Sequence, residues 1–307
     1  MLAIVIERLA GLHLGVRTGL AIVFGVLTGL GFAPLAWWPL LLPGVAGFSL
    51  LILGAGRLRH ALLLGWGYGL GYMGIGLSWM RAIFVEAMLG IVLVTSLLYV
   101  LLAALGWAMR RLALWPLGFA AAWVAVEALI TRWPFGGFGW MRLGYAMTDS
   151  PLAGLYPVVG VAGVSFVVAL LAQGLAWLVV SWHRRHALVA AAVLAAIAIL
   201  AATGAAIPPG TPVGQTTTIG WVQGGAPGGG VYGIGPPRAT TERHLAETLA
   251  LFEAVADGRL PRPDFVVWPE NGTGWEVVSG ETGVPIPELR VELVKGETLR
   301  VEAQTVE

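Results

Sequence analysis

The spacing of apolar runs constrains this chain more than any other feature. Between residues 18 and 206 lie seven stretches made almost wholly of aliphatic, aromatic and small residues, near 18–34, 36–54, 61–80, 86–108, 113–131, 156–181 and 187–206. A bilayer core about 30 Å thick needs about 20 residues of helix at about 1.5 Å each, and each stretch is close to that length. Only 11% of all residues are charged and the mean hydropathy is +0.81, whereas soluble domains carry about 25% charged residues. The first stretch is expected to be a span rather than a signal peptide, since six more come after it and no small-residue cleavage site does. The second holds Pro34, Pro39 and Pro43 and is expected to be broken or partly re-entrant. No residue is cysteine, which excludes disulfides, thiolate zinc sites and a cysteine nucleophile within these 307 residues.

Arginines set the expected orientation. With the N-terminus inside, the inner loops hold Arg8, Arg17, Arg57, Arg59, Arg110, Arg111, Arg184 and Arg185, and the outer loops hold Arg81, Arg132 and Arg142. The positive-inside rule favours this arrangement and places residue 207 onward outside the cytoplasm. Trp37, Trp38, Trp115, Trp133, Trp140 and Trp182 fall where an aromatic belt is expected. Glu86 and Glu127 lie at or near span ends, where water can reach them; Glu86 reads as an interfacial acid, whereas Glu127 reads equally as interfacial or functional, because it precedes a stretch that looks specialised. No charge pair is evident in mid-membrane and no inverted repeat is visible, which argues against a transporter. The segment from Arg132 to Trp140, continuing through Gly144-Tyr145 to Pro151, is rich in Gly, Pro and aromatics. It reads equally as an ordinary interfacial loop or as the rim of a lipid or substrate entrance.

Beyond residue 213 the charge reverses. Residues 1–213 carry eleven arginines and four acids, whereas residues 214–307 carry seven basic and thirteen acidic residues. Two environments explain the split. Thr216–Val222 has a buried-strand pattern, Ala226–Pro237 is a Gly/Pro-rich loop, Ala239–Ala256 an amphipathic helix and Asp264–Trp268 a second strand. Glu270 comes just after that strand, at the edge where open α/β sheets place their chemistry; on spacing alone it reads as a surface acid. The Gly224–Gly235 run fits neither the P-loop nor the dinucleotide fingerprint. His244 has no second His or acid at metal-ligand spacing and is expected to be a surface or capping residue. No cofactor, metal or nucleic-acid partner is expected.

Three groups of residues resemble the bacterial apolipoprotein N-acyltransferases, the integral-membrane members of the nitrilase superfamily. They are Gly29-Leu-Gly-Phe-Ala-Pro34 with Trp38-Pro39; Arg132-Trp-Pro-Phe-Gly-Gly-Phe with Leu143-Gly-Tyr145 and Asp149–Gly154; and Val222-Gln-Gly224, His244 and Val267-Trp-Pro-Glu270. The resemblance implies a multi-span α-helical membrane bundle followed by a partial nitrilase-like α/β (α-β-β-α) domain. The implied boundaries are a bundle of about seven helices over 1–207, the start of the nitrilase-like domain over 214–271 and an unmatched tail over 272–307. The implied setting is the bacterial cytoplasmic membrane, multi-pass, with the N-terminus cytoplasmic and the C-terminal segment extracytoplasmic. The implied reaction is ping-pong: a cysteine takes the sn-1 acyl chain of a phospholipid, and the thioester then acylates the N-terminal amine of a diacylglyceryl-cysteine apolipoprotein. The partners are thus a phospholipid acyl donor, a diacylglyceryl apolipoprotein acceptor and membrane lipids. By position Glu270 becomes the general base of a Glu-Lys-Cys triad, and Phe135, Trp140, Tyr145 and Gln223 become candidates for the lipid or substrate entrance.

The sequence departs from that pattern after Asn271. The family pattern calls for roughly 200 further residues and an eighth span, and only 36 residues remain. Lys295 comes too early to be the triad lysine, and no cysteine is present. The tail over 271–307 holds seven Glu and three basic residues in a loose alternation, which reads as a strand-like or disordered tail, a shift of reading frame, or a fragment. The chain as written is therefore expected to be catalytically inactive, with an unstable soluble segment. A non-catalytic membrane scaffold or lipid-binding remnant is the alternative.

Overall fold

The computed structural model describes residues 2–133, 136–180, 184–207, 214, 216–225, 239–269, 288–292 and 300–304. The chain divides into two compact units, residues 1–81 with 85–209, and residues 82–84 with 210–307.

The first unit is helical: α1 (Leu2–Gly11), α2 (Leu14–Gly29), α3 (Leu41–Leu53), α4 (Leu58–Gly76), α5 (Val85–Met109), α6 (Trp115–Ile130), α7 (Tyr156–Val180) and α8 (Arg184–Ala205). Three segments are long and apolar enough to cross a membrane, Val85–Met109, Ala153–Val180 and Leu188–Ala205. Leu14–Gly29, Trp38–Leu53 and Trp115–Ile130 are apolar but shorter. Each of the seven apolar stretches is thus helical, with ends displaced by a few residues from those expected, and α1 is a helix that hydropathy alone does not anticipate. The second stretch is broken as its prolines suggest, since a short 3-10 turn at Trp38–Leu40 precedes α3. Pro116 sits in the first turn of α6, where a missing N–H costs nothing.

Packing in this unit obeys membrane rules. α2 and α4 approach backbone to backbone: a Cβ at Gly25 would lie 2.2 Å from the Tyr68 carbonyl oxygen, and one at Gly71 2.2 Å from that of Ile22. Small residues permit such contact where hydrophobicity alone cannot drive helices together. Hydroxyls within the helices donate to carbonyls one turn back, as at Thr28, Ser49, Thr95 and Ser96, so they enter the apolar interior already paired. The centre is aromatic. Phe48 stacks on Tyr68 at 4.2 Å, and Tyr72, Tyr99 and Trp123 surround that pair in tilted and edge-on contacts. Trp115, expected in the interfacial belt, is buried at the start of α6, whereas Trp37, Trp133 and Trp140 are exposed. Trp182 lies outside the described residues.

The second unit contains β1 (Ile219–Trp221), α9 (Ala239–Ala256) and β2 (Phe265–Val267). β1 and β2 pair in parallel, with Gly220 opposite Val266. Asp264 locks the pairing: its Oδ2 accepts from the Thr218 N–H at 2.7 Å, and its own N–H donates to the Thr218 carbonyl at 2.7 Å. β3 (Glu288–Glu292) and β4 (Arg300–Gln304) form a separate antiparallel pair, matching the strand-like reading of the tail at those two places.

Candidate functional site: a loop held inside the bundle

The segment between α6 and α7 is the most organised irregular structure in the first unit. α6 ends at Ile130, whose carbonyl accepts from the Phe138 N–H at 2.7 Å, so the chain doubles back at once. Gly137 makes the reversal possible. Its φ is +91°, and a Cβ there would lie 2.1 Å from the Thr131 carbonyl carbon. Short 3-10 turns come next at Gly139–Met141, Leu143–Met147 and Ala153–Leu155, and Met141, Leu143 and Met147 are buried. The loop does not simply rest on a surface; its middle is packed into the helices.

Buried irregular backbone must find polar partners, because no water replaces the missing helix ladder. Four side chains supply them over residues 141–144. The Tyr72 hydroxyl of α4 donates to the Met141 carbonyl at 2.8 Å. Glu127 Oε1 of α6 accepts from the Leu143 N–H at 2.8 Å. Ser165 Oγ of α7 accepts from the Gly144 N–H at 2.8 Å, and the Tyr156 hydroxyl donates to the Gly144 carbonyl. Three helices therefore fix this short run of backbone.

Glu127 is the charged member. It is 2% exposed, with Arg142 Nε 3.5 Å from its Oε2. This corrects one expectation: Glu127 is not at a water-accessible span end, because the returning loop covers it and brings a cation to it. Its cation comes from the loop rather than from a span. Glu86, by contrast, is exposed in the first turn of α5, as expected.

The rim of the loop is aromatic. Trp140 stacks on Trp79 at 4.9 Å and 10° and on Phe138 at 5.1 Å, yet is 58% exposed. Tyr145 is also exposed. Such a rigid, amphipathic surface suits the headgroup region of a bilayer. Of the expected entrance residues, Trp140 and Tyr145 thus lie on one loop. Gln223 lies in the second unit, exposed just beyond β1. Phe135 and Glu270 lie outside the described residues. Nothing in the local sequence flags Tyr72, Tyr156 or Ser165, because each acts through contacts distant along the chain.

In the second unit His244 is buried, 2% exposed, which corrects its reading as a surface or capping residue. Its Nδ1 lies 2.7 Å from the Thr240 carbonyl, its ring is 5.4 Å from that of Trp268, and Nε2 has no partner among the described residues. Gly224 fits against it, since a Cβ there would lie 2.6 Å from the His244 backbone nitrogen and 2.9 Å from its Nδ1. The Trp268 indole donates to Thr248 Oγ1 at 3.0 Å. Three places singled out in the sequence, Gly224, His244 and Trp268, therefore meet. Among the described residues no group of His, Asp and Glu could hold a metal ion.

Comparison with known proteins matches the sequence to one family. Residues 24–174 match the family described as the apolipoprotein N-acyltransferase N-terminal domain, a range that contains the whole returning loop. An apolipoprotein N-acyltransferase of Ralstonia nicotianae is 36% identical over 227 residues, covering 68% of this chain and 42% of the relative. One of Pseudomonas syringae pv. tomato is 33% identical over 275 residues, covering 82% of this chain and 51% of the relative. One of Pseudomonas paraeruginosa is 39% identical over 168 residues, covering 49% of this chain and 32% of the relative. The chain spans about half the length of the curated relatives it matches over most of its own residues. The match over residues 24–174 and the relatives matched over 68% and 82% of this chain place the chain in the apolipoprotein N-acyltransferase family.

Proposed function

We propose that the chain serves the N-acylation of apolipoproteins, in which an acyl group passes from a phospholipid to the N-terminal amine of a diacylglyceryl-cysteine. The observation that carries this reading is the match over residues 24–174, which contains the loop whose backbone Glu127, Tyr72, Ser165 and Tyr156 hold. In this reading seven helices cross the cytoplasmic membrane with the N-terminus inside. Residues 214–271 begin a nitrilase-like domain outside, and 272–307 form a separate tail. The aromatic rim at Trp140 and Tyr145, with Phe135, meets phospholipid at the outer interface, and Gln223 lies on the side of the acceptor. Glu270 is the general base: it takes the thiol proton as the sn-1 ester is attacked and lysophospholipid leaves, then the amine proton as the thioester is opened.

The thiol itself is not among these 307 residues, which hold no cysteine. That observation favours a second reading, a non-catalytic scaffold that binds lipid. One experiment separates the two. The purified chain is given radiolabelled phospholipid and a diacylglyceryl-cysteine peptide, alone and with a separately produced segment of a curated relative that starts just beyond its Trp-Pro-Glu and runs to its C-terminus. Labelled peptide in the complemented mixture, lost with Glu270→Gln, supports acylation. Retention of phospholipid without transfer in either mixture supports the scaffold. Neither transfer nor retention overturns both.

A further inference from the structure

The returning loop meets α4 near its C-terminus, at Tyr72. The opposite end of α4 is charged in the sense that a helix N-terminus disfavours. Backbone dipoles leave that end partially positive, so acids in the first turn and Ser, Thr, Asp or Asn at the cap are the favoured residues. α4 has no acid in its first turn and no side-chain cap: Arg57 is the N-cap residue, and Leu58, Arg59 and His60 open the helix. Arg57 and Arg59 are exposed. Positive side chains at the positive end of a helix cost free energy, and an anion bound at that end removes the cost. The turn leading into α4 is held in place, since the Trp107 indole of α5 donates to the Ala55 carbonyl at 2.8 Å.

A buried cation belongs to the same place. Arg17 of α2 is 3% exposed. Its Nη2 donates to the Leu51 carbonyl in the last turn of α3 at 3.2 Å, whereas its buried Nε has no partner among the described residues. The Leu51 bond suits one corner of the guanidinium, because cations favour the carbonyl end of a helix, but it supplies no full counter-charge. No Asp or Glu occurs between residues 8 and 85, so α2, α3 and α4 carry no carboxylate. Glu7 of α1 is exposed, and the ion pairs among the described residues are Arg142 with Glu127 and Arg259 with Asp257. His60 precedes the third apolar stretch. Desolvation, then the charges of Arg59, Arg17 and Arg57, hold its imidazole below the ordinary range, so three guanidinium groups act on one point in the first turn of α4.

We infer that the α3–α4 turn is a binding site for one phosphate group, held by Arg17 Nε, by the Arg57 and Arg59 guanidinium groups and by the uncapped first N–H groups of α4. Guanidinium forks and helix N-termini both match the geometry and charge of a phosphate. Arginines placed only to orient a chain in a membrane face water, as Arg57 and Arg59 do; that role does not account for Arg17, turned inward with Nε unpaired. With the orientation proposed above, the site faces the cytoplasmic side, where a lipid headgroup or a dissolved phosphate can supply the group. It lies at the other end of α4 from the returning loop and does not depend on the acyl-transfer reading.

Native mass spectrometry and thermal melts of the whole purified chain in phosphate-free detergent test it, with phosphatidic acid, diacylglycerol of the same acyl chains, and inorganic phosphate as probes. The two lipids differ only in the phosphate. If the source is a lipid, one phosphatidic acid binds about tenfold or more tightly than diacylglycerol, as the attraction of several arginines to one phosphate requires. The double variant Arg57→Gln with Arg59→Gln removes that preference. Without any probe it melts no lower than the parent, because it takes cations away from the positive end of α4. Arg17→Lys, which keeps the charge but not the Nε donor, weakens the phosphate probe about fivefold. If excess inorganic phosphate raises the melting temperature by itself and displaces phosphatidic acid, the ligand is a dissolved phosphate; if phosphatidic acid alone does so, it is a lipid headgroup, and either result supports the site. Equal binding of the two lipids together with no response to inorganic phosphate overturns it. So does phosphate binding that survives the double substitution or is unchanged in Arg17→Lys, or a double variant that melts below the parent before any probe is added, which would assign these arginines to the fold alone.

Discussion

Replacing Glu127 with Gln should loosen the returning loop. The amide keeps an acceptor for the Leu143 N–H, so the 2.8 Å hydrogen bond survives. The substitution removes the charge facing Arg142 Nε at 3.5 Å. At an effective dielectric of about 20 that attraction is worth about 4–5 kcal/mol before desolvation is counted. Removing one partner of a buried pair typically costs about 3–5 kcal/mol, because the other charge is left without compensation. Arg142 is 18% exposed and retains some access to solvent, which places the expected loss near about 2–3 kcal/mol. In a unit of this size that corresponds to a fall of about 4–12 °C in melting temperature. Glu127→Ala also orphans the buried Leu143 N–H and should lose about 1–3 kcal/mol more. The double variant Glu127→Gln with Arg142→Gln should recover part of the loss, giving a coupling of at least about 1 kcal/mol in the cycle. The measurements are thermal unfolding in detergent and protease cleavage between residues 131 and 155. A Glu127→Gln variant that melts within about 1 °C of the parent, with its loop cut no faster, would show that the ion pair does not hold the loop.

Two other contacts give further expected outcomes. Gly71→Leu should destabilise the bundle by about 1–3 kcal/mol or more, because its Cβ would strike the Ile22 carbonyl oxygen and overpack the α2–α4 seam; a melting curve unchanged from the parent would show that the helices separate without cost. Thr248→Val should leave the Trp268 indole N–H without its acceptor and weaken the second unit by about 1–2 kcal/mol, read as faster amide exchange along α9 in the whole chain, with exchange in α2 and α4 unchanged.

The helical class was legible because hydropathy reports directly on the solvent a segment needs. The seven apolar stretches, the break before α3 and the amphipathic α9 are all consequences of period and composition. The ends were less legible, since a span stops where capping and neighbours stop it. α3 begins at Leu41, after the turn around Pro39, although hydrophobic residues continue upstream. α1 escaped notice because ten residues are too few to register as a span. Trp115 was misplaced for a related reason. A tryptophan near a span end scores as interfacial whether it points to lipid or, as here, into the protein.

The site was legible in its location but not in its construction, and Glu127 shows why. Counted along the chain, it lies three residues from the end of α6, a place that reads as wet. Depth in a membrane protein depends on what covers a residue as well as on its distance from a helix end. Here the cover is the segment after α6, turned back by Gly137 and packed through Met141 and Leu143. That segment brings N–H groups and a guanidinium into the apolar interior, and they need an anionic acceptor at the place where they arrive. Glu127 and the loop are therefore one device: the carboxylate is tolerable because the loop supplies donors, and the loop can enter because the carboxylate accepts them. The same reasoning applies to His244, which reads as a surface residue until Trp268 and Gly224, distant in sequence, close over it. Position along the chain predicts which solvent a helix needs; it does not predict which later segment will return to cover a charge.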